Sequence, residues 1–565
     1  MRLSSSRTSG FAELPSSLSG GLVLAAFLVF GSYLRLADVG SALLFGDELH
    51  SLRDMHGGYG QILGHFSQTG GGLALPLIQR ILFDFFGDGP WSVRAPAWLA
   101  GLALLYLTYP ITRRHLGEFA AIAATALVAV MPLLIFYSHF ARIYSLTAVL
   151  CLLLYHRLEE LLRASQWKPA AWLGLMGLTA LIPWMHPSAL GFVLPVYAGA
   201  LLALWLERKD AGAFRAQAAR LAGVLALAGL LCGLAYWPVR ESLLTFISEK
   251  TQAEYYGDFG PIGIASLMVG SRWWAMGLAI PTLAALGGAA FQLRGRSVLL
   301  LSAILGPPLT IVLVQPYGDA YAYARYAMPC LVPLCIGLGW GLSQALARIP
   351  GLGAGAFSAA TALLALALFS SGPLGPGKSH SPQHANTYLS MLSLPAFDEP
   401  WPDTPKFYRE LASLPESERT GLRLLEVPAL TSRARHLYRN YQLQHGIPVV
   451  LGPLPGEFPR IPSGPYSSFQ RADWKASSGA DYLVVHLDIA GELGRYWRWV
   501  YRPGREAPFS AEAEALMERH RRYGGLLPRP HAATLSALRA GLGPPVVADE
   551  ELLVWDLRKE AGRSD

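Results

Sequence analysis

The feature that most restricts this chain is a series of about eleven apolar stretches, each close to the roughly 20 residues a helix needs to cross a bilayer. They lie near 20–37, 92–112, 119–136, 140–158, 170–186, 188–206, 220–238, 272–292, 297–315, 326–346 and 353–370. In lipid every backbone N–H and C=O must be satisfied internally, so such stretches are read as helices packed side by side. The expectation is a polytopic α-helical membrane bundle of about eleven transmembrane helices. The first stretch follows Arg2 and Arg7 and lacks a small-x-small cleavage pattern, which makes it an uncleaved anchor.

Charge density divides the chain in two. Residues 1–370 hold 23 Lys/Arg and 17 Asp/Glu, whereas residues 371–565 hold 23 and 22. That is about 11% charge in the first part and about 23% in the second, against roughly 25% for an ordinary soluble domain. A single soluble enzyme, a disordered scaffold and a secreted disulfide module are all excluded. The net charge of +7 splits as +6 and +1 and sits in loops, so it reads as an orientation signal and no nucleic-acid partner is expected. Cys151, Cys232, Cys330 and Cys335 fall inside apolar stretches, which argues against a disulfide framework.

Alternate loops carry Arg113/Arg114, then Arg157, Arg163 and Lys168, then Arg208, Lys209, Arg215 and Arg220, then Arg294 and Arg296, then Arg348. By the positive-inside rule those loops and the N-terminus are cytoplasmic. An odd number of spans then places residues 371–565 outside, and the expected location is a bacterial plasma (inner) membrane. The bundle is assigned to 1–371 and a linker to 372–402, opened by Gly372-Pro373-Leu374-Gly375-Pro376-Gly377. Residues 403–565 are assigned to an extracytoplasmic α/β domain. Its expected strands are Leu422–Val427, Pro448–Leu451, Tyr482–Leu487 and Leu552–Leu557, with helices near 403–414, 431–445 and 511–523.

Ionisable residues at span ends are the first functional candidates in a membrane protein. The first outer loop contains Asp47-Glu48, adjacent carboxylates that point about 100° apart on a helix, so one can face a cavity while the other caps or pairs. Arg94 opens the second span, where the alternative is a snorkelling side chain. The fourth opens with Ser138-His139-Phe140-Ala141-Arg142-Ile143-Tyr144-Ser145, and a guanidinium at Arg142 demands a carboxylate or phosphate partner. His186 lies in the tight turn Trp184-Met185-His186-Pro187, either as a ligand or as a satisfied structural group. The last inter-span loop brings Tyr317, Tyr321, Tyr323, Arg325 and Tyr326, an aromatic belt or part of a substrate site. A carboxylate base with an arginine-held phosphate is the minimal equipment for moving a group off a phosphate ester. The chain has no G-x-x-x-x-G-K-[ST], no H-E-x-x-H and no Asp-x-Asp, so a transferred group would come from a lipid-borne donor.

The order Asp47-Glu48, then Arg94-Ala95-Pro96, then Met131-Pro132 with Ser138–Leu146, then Arg325-Tyr326 with Pro329 resembles a known family. It is similar to the protein O-mannosyltransferase-like branch of the C-type-fold membrane glycosyltransferases, which includes aminoarabinose transferases. The resemblance covers roughly residues 20–346. The tail is also similar to domains that follow such bundles, at Leu424–Pro428, Tyr441–Pro448 and Asp481–His486. Where relatives often carry a His-Pro-Pro-Leu-Tyr-type stretch, this chain reads Gly70-Gly71-Gly72-Leu73-Ala74-Leu75-Pro76-Leu77.

The resemblance implies a polyprenyl-phosphate-linked sugar donor, inverting transfer on the outer face, and a lipid, glycan or protein acceptor. Asp47 would be the general base, with Glu48 orienting it or binding a cation. Arg142, Arg325 and Arg94 would hold the donor phosphate, and His139, Tyr144, His186, Tyr321 and Tyr323 would line the substrate site. No redox cofactor is implied, and a divalent cation stays open because no ligand cluster supports one. The alternative is a transporter, a flippase-like or a non-catalytic component of envelope-polysaccharide assembly.

Overall fold

A computed structural model of the chain describes residues 18–37, 39, 48, 58–66, 72–86, 90–164, 168–207, 211–252, 261–271, 273–278, 282, 287–288, 295–314, 320–349, 353–372, 400–428, 436–451, 479–500, 530 and 532–558. The chain divides into two compact units. The first takes in Met1–Ala37, His65–Ala74 and Pro96–Pro382; the second takes in Asp38–Gly64, Leu75–Ala95 and Gln383–Asp565.

The first unit is built from long apolar helices. They are α1 (Leu18–Leu36), α2 (Pro90–Leu116, from Pro96 onward), α3 (Glu118–Val130), α4 (Pro132–His139), α5 (Tyr144–Arg163), α6 (Pro169–Met185) and α7 (Leu190–Glu207). There follow α8 (Ala211–Tyr236), α9 (Gly295–Val314), α10 (Ala320–Ala327), α11 (Leu331–Ala347) and α12 (Ala354–Ser371). Among the described residues seven helices are long and apolar enough to cross a bilayer, and α3 with α4, bent by 55° at Met131, makes an eighth. The chain is thus an integral membrane protein of polytopic helical type. Three of the eleven expected spans are not in that number. The α5 helix carries Arg157, Glu159 and Glu160 in its last turns, and α6 has only 17 residues. The stretch 272–292 lies mostly outside the described residues.

Packing converges on α3, whose residues Ala120–Val130 are all buried. Its alanines let neighbours come close, the usual device where lipid offers no hydrophobic drive between helices. A Cβ at Gly31 of α1 would sit 2.9 Å from the Ala129 Cβ, and one at Gly339 of α11 would sit 2.6 Å from the Ala120 carbonyl oxygen. The α7–α9 pair is joined in the same manner, since a Cβ at Gly306 would fall 2.6 Å from Pro195.

The break between α3 and α4 follows from one residue. Pro132 has no N–H, so the Val128 carbonyl loses the donor that an unbroken helix would supply. Arg35, completely buried at the end of α1, takes over. Its Nη2 donates to Val128 O at 2.8 Å, and its Nη1 donates to Ala129 O at 3.1 Å and Gly31 O at 2.9 Å.

The second unit contains a five-stranded sheet in the order β2-β1-β3-β5-β4, with β1 Leu424–Val427, β2 Val449–Leu451, β3 Tyr482–His486, β4 Val547–Ala548 and β5 Leu552–Asp556. The β1 strand pairs in parallel with β2 and β3, and β5 pairs antiparallel with β3 and β4. The four expected strands are present within two residues at each end. Helices α13 (Lys406–Ser413), α14 (His436–His445), α15 (Ile489–Val500) and α16 (Ala532–Leu542) accompany them. The first two fall within the expected ranges, α15 and α16 were not anticipated, and 511–523 lies outside the described residues.

Under the sheet lies a buried polar network. His486 Nε2 meets Glu426 at 2.9 Å and its Nδ1 meets Glu492 at 2.9 Å. Tyr408 donates to Glu426 at 2.8 Å and Tyr441 to Glu492 at 2.8 Å. Burial alone would lower the imidazole's pKa. The Glu492 charge, the hydrogen bonds to both carboxylates and the Glu426 charge outweigh it and push the pKa up to about 10. A raised histidine contributes stability that is complete below its ordinary value near 6.5 and is lost as pH rises through about 10. Amide hydrogen exchange at Leu483–Val485, corrected for intrinsic rates, is therefore expected to speed up steadily between pH 7 and 10. His486→Gln should abolish that slope and cost about 3–5 kcal/mol, as breaking a buried pair does. A wild-type profile without slope would contradict a charged His486.

Candidate active site

The turn after α4 positions the first group of candidates. His139 closes α4, and its Nε2 lies 2.7 Å from the Leu34 carbonyl at the end of α1. Ser138 folds its hydroxyl back onto Leu134 O at 2.7 Å, in a place where only Gly101 of α2 leaves room, because a Cβ there would collide with Ser138 Oγ. Phe140 is extended and the Arg142 N–H donates to its carbonyl at 2.6 Å, a tight reversal that lets α5 begin at Tyr144. Arg142 and Tyr144 are both buried by this turn.

Two further segments meet them. Between α6 and α7, His186 is fixed by its own neighbour: the Ser188 N–H donates to Nδ1 at 3.3 Å, and the Ser188 hydroxyl lies 2.6 Å from the same nitrogen. With Nδ1 accepting from a backbone N–H, the ring of a neutral His186 carries its proton on Nε2. From α10 come Arg325 and Tyr326. The His186 ring lies 5.3 Å from that of Tyr144 and 5.9 Å from that of Tyr326. The Arg325 guanidinium sits 5.6 Å from the Tyr144 ring centre and 5.4 Å from that of Tyr326. The charges of Arg142 and Arg325 both act on His186. Four expected site residues, Arg142, Tyr144, His186 and Arg325, are thus drawn together from three separate segments.

Tyr326, in the sequence an aromatic-belt residue and part of the Arg325-Tyr326 motif but not a site candidate, belongs to this cluster. Tyr137, whose ring lies 4.9 Å from Tyr144, supports it from α4 and was not anticipated at all. A signal existed for the first, its adjacency to Arg325; none existed for the second inside a continuous apolar run. Tyr323 is buried in α10, the backbone of Tyr321 belongs to the same helix, and the Tyr321 side chain lies outside what is described. His139 is engaged with α1 through Leu34.

The remaining candidates belong to the second unit. Arg94 and Glu48, 2% and 0% exposed, form a two-pronged ion pair, Nε to Oε1 at 2.8 Å and Nη2 to Oε2 at 2.9 Å. The Arg94 Nη1 donates to Val39 O at 2.8 Å. Three of the donors that a phosphate would use on Arg94 are therefore committed to this pair and its backbone neighbour. Asp47 lies outside the described residues. Among the described residues no group of three His, Cys, Asp or Glu side chains is placed to hold a metal ion.

Residues 71–237 match the sequence model of the dolichyl-phosphate-mannose-protein mannosyltransferase family. The matched segment contains Arg94, His139, Arg142, Tyr144 and His186 and stops short of Arg325. No curated protein matches the chain. Similar solved structures include ArnT from Cupriavidus metallidurans in the apo state, 13% identical over 96% of this chain and 99% of that one, with a TM-score of 0.47. The same protein bound to undecaprenyl phosphate gives 13% identity over 96% and 98%, with a TM-score of 0.47. The archaeal oligosaccharyltransferase AglB from Archaeoglobus fulgidus, in complex with an inhibitory peptide and a dolichol-phosphate, gives 13% over 85% and 71%, with a TM-score of 0.42. The family match, confined to residues 71–237, agrees with the resemblance to membrane glycosyltransferases read from the sequence.

Proposed function

We propose that this enzyme transfers a sugar from a polyprenyl-phosphate donor to an acceptor hydroxyl, with inversion, on the extracytoplasmic face of the membrane. The observation that carries the reading is the meeting of Arg142 and Arg325 around His186, Tyr144 and Tyr326. Two guanidiniums and an imidazole N–H are the donors that a lipid phosphate requires, and guanidinium forks bind phosphate with directional strength. In the transfer, the acceptor oxygen bonds to the sugar's anomeric carbon as the bond from that carbon to the phosphate oxygen breaks. The electron pair leaves with the polyprenyl phosphate, and the acceptor proton passes to a carboxylate. Arg142 and Arg325 stabilise the charge that develops on the phosphate, the kind of preorganised electrostatic contribution that dominates many such reactions. Asp47 is the base in this reading. Glu48 is held by Arg94, and in this reading the phosphate contacts fall to Arg142 and Arg325. The tail, residues 403–565, is the extracytoplasmic domain of the proposed topology, and its role is acceptor selection.

Asp47→Asn keeps size and capping ability while removing the basic oxygen, so the protein should accumulate normally. Transfer from a polyprenyl-phosphate sugar should fall by about 10²–10⁴-fold. Wild-type rates in that variant would end the assignment of Asp47.

Arg142→Ala and Arg325→Ala should each weaken donor use strongly, with lysine restoring only part, because a point charge does not replace a planar fork. Donor titrations of the purified variants measure this, and an unchanged response in either alanine variant makes that arginine structural.

The Glu48–Arg94 pair predicts strong coupling. Removing either partner leaves a buried charge and should cost about 3–5 kcal/mol in a denaturant series. The double change Glu48→Leu with Arg94→Met should recover most of that loss. Additive losses would mean that the pair does not exist in the membrane.

A further inference from the structure

We propose that α2, α5 and α6 together form a binding site for the headgroup of an anionic phospholipid, separate from the transfer chemistry. A cavity of about 630 Å³ opens where the end of α2, the end of α5 and the start of α6 come together. Its polar lining is Arg114, Arg157, Arg163 and Lys168 with a single carboxylate, Glu160.

The geometry within this group separates scaffold from ligand-binding charge. Arg163 donates to the backbone carbonyls of Arg114 at 2.9 Å and His115 at 2.8 Å, which ties the end of α5 to the end of α2. Glu160 is shared by Arg114 and Arg157, each at 2.8 Å. One carboxylate between two guanidiniums, with Lys168 on the same lining, leaves a clear excess of positive charge facing the cavity. Lys168 is exposed and precedes the first turn of α6, whose Ala170 and Ala171 also line the space. The positive end of that helix adds to the same field.

The other wall argues for a lipid instead of a soluble anion. Ala164, Ala170, Ala171 and Gly174 give the cavity a smooth apolar side. A Cβ at Gly174 or Gly177 would meet nothing within 4 Å, so the α6 surface that continues from the cavity is open at both positions. Leu173 beside it is 63% exposed, as a lipid-facing side chain is. A phosphate-bearing headgroup among the cations with acyl chains along that open α6 surface satisfies both walls. Juxtamembrane Lys/Arg clusters are the usual recognition element for anionic lipids.

The test uses the full chain in nanodiscs of phosphatidylcholine alone or with phosphatidylglycerol, and native mass spectrometry to count retained lipid. Its readout does not involve transfer, so it stands or falls independently of the proposed reaction. Phosphatidylglycerol should be retained by the wild type and raise its melting temperature. Lys168→Glu should weaken that retention at least tenfold. Gly174→Leu adds bulk to the apolar side of the cavity without changing charge and should weaken it comparably, with both variants melting like the wild type in phosphatidylcholine alone. Equal stabilisation by inorganic phosphate or glycerol phosphate would overturn the lipid assignment. Loss in Lys168→Glu with full retention in Gly174→Leu would show a diffuse charge effect and overturn the site, as would retention unchanged in both.

Discussion

A single guanidinium inside the bundle sets the geometry on which much else depends. Pro132 bends the path between α3 and α4 by removing one backbone donor, and in lipid an orphaned carbonyl has no water to turn to. Arg35 supplies the missing donors to Val128 and Ala129, so the bend is a defined angle instead of a weak point. His139 then fastens the far end of α4 to Leu34, one residue before Arg35. The last turn of α1 is therefore attached to the end of α3 just before the bend and to the far end of α4, and the reversal that presents Arg142 and Tyr144 starts from a fixed platform. An alanine at 35 would leave both carbonyls without those bonds, and the direction of α4 would lose its restraint.

Buried charge is handled in two different ways in this chain. Glu48 with Arg94, and Glu426 with His486 and Glu492, bring opposite charges together with their hydrogen-bond geometry complete. Such groups specify structure, and their cost appears only when one member is removed. Around His186 two cations of the same sign are brought to one ring, with tyrosine faces beneath Arg325. Cation–π contact softens that repulsion. An anion arriving there gains from both guanidiniums at once, and under the proposed function that gain is largest when the phosphate carries its full leaving-group charge.

The sequence made the membrane class, the tail's strands and part of the cluster legible because each is a local pattern. Alternation and β-branched runs locate Leu424–Val427 and Tyr482–His486 without any knowledge of their partners. Arg142, His186 and Arg325 stand out since a charged or titratable residue at a span end needs a reason. What was missed depends on contacts distant in sequence. Arg94 was assigned to phosphate because its partner Glu48 lies 46 residues upstream, and no spacing rule joins them. Arg35 went unnoticed because one arginine ending an apolar run is indistinguishable from a flanking charge until Val128 and Ala129 are seen across from it. The short β4, two residues long, has too little pattern to find.

Gly72 connects these observations to the segment that carries His186. Gly72 adopts φ of +67°, and a Cβ there would lie 2.9 Å from the Met185 carbonyl oxygen. A side chain at this position is excluded twice, by backbone conformation and by space. Met185 leads directly into His186, so the close approach of Gly72 bears on the segment that carries the imidazole. Nearby, Phe66 and Leu73 pack with Tyr236 and Val239, and the Tyr236 hydroxyl donates to the carbonyls of Pro183 and Trp184 at 3.0 Å each. The turn before His186 is thereby held by backbone contact on one side and by a tyrosine on the other. A side chain on the first of those sides is incompatible with this packing. Gly72 is therefore the residue that lets the two segments approach where the chain leads into His186.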